Sequence, residues 1–152
     1  MTRAATGTGA TRRPVLAGYP ANLIVVGRRC VVVGAGRIAA RKIEALLAAG
    51  ADVHVVAPQA GPEVRAWADE GRVELTERPF EPGDLDGAWL ATAATGDPAV
   101  DHSVFEAGEA RRIFVNSADD PANCSFTLMS LIRRGDLVVS IGTGGRSPAL
   151  AA

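Results

Sequence analysis

With 152 residues, 47% of them hydrophobic and 22% charged, the chain has the make-up of one globular domain, not of a disordered or collagen-like polymer. Sixteen basic against seventeen acidic side chains leave a formal net charge of −1 and no basic stripe, which argues against a nucleic-acid partner. No apolar run reaches the roughly 18 residues that a membrane-spanning helix needs, and two cysteines are too few for a disulfide framework or a zinc site.

The opening stretch, Met1 to Pro14, is rich in Thr, Ala, Gly and Arg and has no apolar stretch of the signal-peptide kind. It reads as a flexible tail, with the domain running from residue 15 to 152 and a cytoplasmic location as the expectation. Cys30-Val31-Val32-Val33 is continuously apolar and β-branched, the pattern of a parallel strand covered on both faces, with Cys30 as a buried thiol. Arg37 to Ala49 places Ala39, Ile43, Leu46 and Leu47 on one face and Arg41, Lys42 and Glu44 between them, which predicts an amphipathic helix stopped by Gly50. A strand over Val53 to Ala57, a short helix over Glu63 to Glu70 and a strand over Val73 to Leu75 follow.

Two prolines and a glycine make Arg78 to Asp86 a loop. Beyond it the pattern predicts a strand over Trp89 to Ala94, a helix over Pro98 to Arg111 and a strand over Ile113 to Val115. Strands alternating with helix-length connections mark an α/β fold, a Rossmann-type doubly wound parallel sheet. The last part differs: Phe126 to Ile132 and Leu137 to Ile141 are strand-like runs joined by Arg133-Arg134-Gly135-Asp136, which predicts a C-terminal β-hairpin. After it, Ser147-Pro148 followed by Ala and Leu begins a helix that is cut short at Ala152.

Between the first strand and first helix stands Gly34-Ala35-Gly36-Arg37-Ile38-Ala39, a GxGxxA string. In that setting Gly34 allows the tight turn, Gly36 lets backbone approach a diphosphate and Ala39 permits close helix packing, while the free amides and dipole of the helix start favour the anion. The expected ligand is a nicotinamide dinucleotide, NAD with NADP not excluded, held by Gly34, Ala35, Gly36, Arg37, Ile38, Ala57, Pro58 and Thr95. The second strand ends in Val56-Ala57-Pro58, where the usual fingerprint has an acidic residue for the ribose hydroxyls.

Several further strings lie in the same order: Tyr19-Pro20-Ala21-Asn22-Leu23, Ala39-Ala40-Arg41-Lys42, Val55-Val56-Ala57-Pro58, Ala91-Thr92-Ala93-Ala94-Thr95, Arg112-Ile113-Phe114-Val115-Asn116, Asp119-Asp120-Pro121, Cys124-Ser125-Phe126 and Gly144-Gly145-Arg146-Ser147-Pro148-Ala149-Leu150-Ala151. Together with the glycine loop they make the chain resemble the precorrin-2 dehydrogenase family, the module found alone or at the N-terminus of siroheme synthase. The resemblance implies NAD-dependent dehydrogenation of precorrin-2, a tetrapyrrole, to sirohydrochlorin. It also implies ferrous iron only as a chelation substrate, a homodimer as in relatives, and Asp119 as the residue involved in chemistry. Two departures stand out: Met129-Ser130 replaces a common Pro-Ala, and the helical C-terminal region of relatives is absent.

From the residues themselves, Asp119 sits just past a predicted parallel strand, the sheet edge where such folds place ligands, and a carboxylate there suits a general base; turn chemistry explains Asp-Asp-Pro equally well. Asn116, Ser117, Gly144 and Arg146 are substrate-binding candidates beside it, the glycines as an anion nest and Arg146 as a partner for macrocycle carboxylates. Asp120 reads as a turn residue, His54 as structural, His102 as solvated, Trp67 and Trp89 as packing, and no bound metal is expected. A non-catalytic NAD-binding or regulatory module left by truncation is the alternative. A short-chain dehydrogenase is disfavoured because no Tyr-x-x-x-Lys pair occurs.

Overall fold

β-Branched runs that are apolar on every residue can be satisfied only where both faces of a sheet are covered, and that requirement organises the molecule. The computed structural model describes residues 18–142. Chain order is β1 (Arg29–Val33), α1 (Arg37–Ala48), β2 (Asp52–Val56), α2 (Pro62–Asp69), β3 (Glu74–Thr76), β4 (Leu90–Ala93), α3 (Pro98–Arg111), β5 (Phe114–Ser117), β6 (Ser130–Arg134) and β7 (Leu137–Ile141). The first five strands form one parallel sheet in the order β3-β2-β1-β4-β5. The order reverses between β1 and β4, the switch point at which doubly wound folds open a crevice.

Alternation along β1 splits the core in two. Val31 and Val33 join Ala91, Ala93 and Val115 beneath Val104 and Ala107 of α3. Val32 points the other way and packs with Val53, Val55, Ala39, Ile43 and Val64 under α1 and α2. Gly108 explains how close α3 lies to the sheet, since a Cβ there would collide with Val115. Leu85, from a short 3-10 turn at Pro82–Leu85 inside the expected loop, is fully buried against the α3 side.

Two compact units are distinguished, one over Ala21–Leu128 and the other containing the hairpin residues from Met129. Within the second, β6 and β7 pair antiparallel from Ser130↔Ile141 to Arg134↔Leu137 around a two-residue Gly135-Asp136 turn. The hairpin is as expected but its first strand starts four residues later than the apolar pattern suggests. The reason lies in Ser125, whose Oγ accepts from Val115 N at 2.7 Å and whose own N–H donates to Val115 O at 2.8 Å, tying this stretch to β5. Trp89 also departs from its expected packing role: it is 59% exposed, with the Arg28 guanidinium 3.6 Å above the ring.

Candidate functional site

The turn from β1 into α1 is built around Gly34. Its φ of +108° is one that side chains rarely adopt, and a Cβ would collide with the Ala94 carbonyl at the end of β4. Gly34 N also donates to Val56 O at 2.8 Å, so three strand ends meet at this residue. Ala35 is buried, and its carbonyl accepts from Gly61 N at 3.0 Å. Gly36 differs from Gly34: its φ is −84°, and a Cβ there would meet nothing within 4 Å. As N-cap of α1 it offers no side chain to the free amides, and the first turn of α1 carries no acidic residue. Backbone donors that no helix can satisfy internally thus face open space, which fits a diphosphate laid across them.

Beside this loop, at the ends of β4 and β5, lies a cavity of about 350 Å³. α1 contributes Ile38 to its wall, the β4 end contributes Ala94 and Gly96, α3 contributes Pro98 and Asp101, and the β5 end contributes Ala118, Asp119 and Asp120. The N-terminus of α3 is closed by its own sequence, since Asp97 Oδ1 accepts from Ala99 N at 2.9 Å and Val100 N at 3.5 Å with Pro98 at the first position. Asp101, only 6% exposed, accepts from Thr95 Oγ1 at 2.7 Å and Thr95 N at 3.2 Å, which fixes the β4–α3 loop.

Asp119 is exposed and held at φ +60°, a backbone state unusual outside glycine. The loop that carries it is pinned from below by Cys124, whose Sγ accepts from Ser117 N at 3.2 Å and lies 3.3 Å from the Ser117 and Asp120 carbonyl oxygens. Burial pushes the Cys124 thiol above its ordinary value and Asp120 adds to that, against the Ser117 amide, Lys42 and Asn116. Half-buried Lys42 of α1 is pulled below the usual lysine range by burial, with Asp119 and Cys124 acting in the opposite direction. Asp120 is a turn residue as expected, accepting from Ala122 N at 3.2 Å and Asn123 Nδ2 at 2.6 Å.

Ile38 and Asp119, chosen from the sequence, are therefore brought to one cavity, and Gly34, Ala35, Gly36 and Arg37 form the loop next to it. Ala57 and Pro58 follow β2, with Ala57 N bonded to Thr76 O at 3.1 Å, on the β2–β3 side of that loop. Thr95 is half-buried and its hydroxyl is engaged with Asp101 and Asp97, so it supports the wall from behind. Asn116 and Ser117 are buried in β5 and are not among the residues lining the cavity; Asn116 Nδ2 donates to Phe126 O at 3.2 Å, while Asn116 Oδ1 and Ser117 Oγ have no partner among the described residues. Gly144 and Arg146 lie outside the described residues, as does the helix start at Ser147. Sequence reasoning missed Asp101, Cys124 and Lys42. Only Lys42 carried a usable signal, since it stands four residues from Ile38 and so on the same helix face. Among the described residues no three His, Cys, Asp or Glu side chains are grouped to hold a metal, and no helix is long and apolar enough to cross a membrane.

The family model described as "Putative NAD(P)-binding" matches residues 21–130. The chain belongs to that NAD(P)-binding family. The expected likeness to siroheme synthase holds at sequence level: the enzyme of Salmonella arizonae and siroheme synthase 2 of Cronobacter sakazakii are each 48% identical over 124 residues, 82% of this chain and 27% of theirs. The chain thus spans about a quarter of the length of these curated relatives. Among solved structures, SirC, a precorrin-2 dehydrogenase, superposes with a TM-score of 0.76 at 31% identity, over 88% of this chain and 66% of that one. The apo D-lactate dehydrogenase of Escherichia coli, at 14% identity and a TM-score of 0.50 over 68% of this chain and 32% of that one, shares the fold alone.

Proposed function

We propose that this NAD(P)-binding domain oxidises precorrin-2 to sirohydrochlorin with NAD as acceptor, in the cytoplasm, and that Asp119 is the acid–base residue. The observation that carries the reading is the juxtaposition at the switch point: a helix start whose N-cap is the open Gly36, with no side-chain cap, and beside it a cavity walled by Ile38 and Asp119. When bound, the nicotinamide supplies the chemistry of a two-electron acceptor that takes a hydride. The α1 amides and Gly36 would hold the diphosphate, and Ile38 would exclude water from one wall of the cavity. Removing two hydrogens from the macrocycle releases one as a proton, and the Asp119 carboxylate is exposed at the cavity edge to accept it. Lys42 keeps positive charge near that carboxylate.

NAD is preferred over NADP because no basic side chain follows β2 in Ala57-Pro58-Gln59-Ala60 to take a 2′-phosphate. The arginines next to the end of β3 are already committed, Arg65 to Glu77 at 2.8 and 2.9 Å and Arg78 to Asp84 at 2.9 Å. An anaerobic assay of NADH formation from precorrin-2, with each nicotinamide cofactor in turn, tests the activity. Asp119→Asn, which keeps a residue tolerant of positive φ, is expected to lose turnover by about a hundredfold or more with NAD affinity retained. Undiminished turnover in that variant removes Asp119 from the mechanism, and NAD binding without any turnover by the parent chain removes the activity.

A further inference from the structure

The cavity at the ends of β4 and β5 lies on one side of the glycine loop. A dinucleotide with its diphosphate at the start of α1 and its nicotinamide in that cavity would carry its adenosine half the other way, over the ends of β2 and β3. There the usual fingerprint sets an acidic residue on the ribose hydroxyls, whereas β2 runs out in Val56-Ala57-Pro58. A carboxylate stands one strand away. Val56 is in register with Thr76, and Ala57 N donates to Thr76 O at 3.1 Å, so Glu77 leaves β3 level with the end of β2. Helix α2 borders the same corner, since its N-cap Gly61 donates through N to Ala35 O of the glycine loop at 3.0 Å. One turn further on, Arg65 donates from both terminal nitrogens to the two oxygens of Glu77, at 2.8 and 2.9 Å. Both side chains are nearly half exposed, which leaves the carboxylate fixed in direction yet open to a ligand. The Arg65 hydrogen bonds hold the Glu77 carboxyl below the usual carboxylate range, so it stays ionised, and each oxygen keeps a further lone pair to accept with.

We propose that Glu77, anchored by Arg65, supplies from β3 the acceptor for the adenosine ribose hydroxyls that β2 lacks, and that this pair rejects a 2′-phosphate. The proposal rests on the dinucleotide reading above and adds the residue that chooses between the two nicotinamide cofactors. A 2′-hydroxyl donates to the carboxylate. A 2′-phosphate in the same place meets a like charge, and the guanidinium that could offset it is engaged by Glu77 through both nitrogens.

Calorimetry on the 152-residue chain would compare NAD, NADP and ADP-ribose, which lacks the nicotinamide ring. The unchanged protein is expected to prefer NAD over NADP by about tenfold or more. In Glu77→Gln that preference should fall to about threefold or less, or reverse, as Arg65 is released to the phosphate. ADP-ribose should weaken in step with NAD, because the ribose is common to both. Adding Arg65→Gln to Glu77→Gln should weaken NADP again by about threefold or more. Glu63→Gln removes an acid from the first turn of α2 and should leave the preference as in the parent. An exposed ion pair adds little to stability, so each variant should melt close to the parent. The same preference in the parent and Glu77→Gln, or none in the parent, overturns the assignment while leaving dinucleotide binding intact. An equal shift in Glu63→Gln, or NADP held as tightly by the double variant as by Glu77→Gln, overturns it too. If the parent binds neither NAD nor ADP-ribose, the dinucleotide reading itself fails and this inference with it.

Discussion

Helices α1 and α3 both start at the same crevice, yet their N-termini are finished in opposite ways. α3 is capped from within, by Asp97 on two backbone amides and by Pro98 at its first position. α1 begins at Gly36, with no side-chain cap and no acid in its first turn. A helix start that closes its own donors has no electrostatic demand left for a ligand, while one that leaves them bare does. The anion subsite proposed above falls to α1 for that reason, and α3 supplies instead a wall residue, Asp101, bonded to Thr95. The C-terminal ends invert the pattern. Both helices close with the same pair of backbone bonds, Ala51 N to Leu46 O with Gly50 N to Leu47 O, and Ile113 N to Gly108 O with Arg112 N to Glu109 O. The left-handed residue is glycine in α1 and Arg112, at φ +58°, in α3.

The sharpest way to break this contrast is Gly34→Ala. The collision with the Ala94 carbonyl and the φ of +108° together should cost about 3–5 kcal/mol, seen as a lowered urea midpoint and loss of NAD binding. Gly36→Ala should behave differently although it is only two residues away. Its Cβ enters open space at an ordinary φ, so stability should change by less than about 1 kcal/mol, while NAD affinity falls at least about tenfold; unchanged affinity by calorimetry would place the diphosphate elsewhere. Asp97→Ala removes the α3 cap and should cost about 1 kcal/mol in denaturant unfolding without altering affinity for ADP-ribose. Arg112→Gly should stabilise by somewhat under about 1 kcal/mol by relieving the left-handed residue.

The smallest effect is a pH dependence at Lys42. Its folded-state value lies below the ordinary one, so the folded state disfavours the charged form. The resulting loss of stability is fully present at neutral pH and fades as pH rises through the folded value and then the ordinary lysine value of about 10.4. Lys42→Met should therefore raise the melting temperature slightly at pH 7, with the advantage shrinking toward alkaline pH. An advantage that grows with pH instead would place Lys42 in a pairing environment rather than a desolvated one.

Much of the fold was legible because its signals are local. The apolar Cys30 to Val33 run, the helix from Arg37, the helix Pro98–Arg111 and the strand Leu137–Ile141 appear where pattern and stop signals place them. The 3-10 turns at Pro82–Leu85 and Pro121–Asn123 were hidden inside stretches read as loop or turn. Phe126 to Met129 has the apolarity of a strand but lies outside β6, because Ser125 bonds to β5 instead. Trp89 reads as core from its size, and its exposure depends on the end of β4 where it stands. In the site, Asp119 and Ile38 were legible because the ends of parallel strands and the start of the first helix are fixed by the fold type. Asp101 was not, since nothing local distinguishes it from other acidic residues in a helical first turn.

By itself the sequence determined the alternation of strands and helices, the glycine loop that needs a positive φ and an open helix start, and the strand ends where a ligand belongs, because each follows from periodicity and backbone sterics within a few residues. Tertiary structure alone decided which side chains share the cavity. Asp101 meets Thr95 across a turn, Lys42 comes within electrostatic reach of Asp119 from another helix, and Cys124 pins the Asp119 loop from beyond it. Such contacts are set by how strands order themselves in the sheet and how closely helices pack upon it, and neither is written in the spacing of residues along the chain.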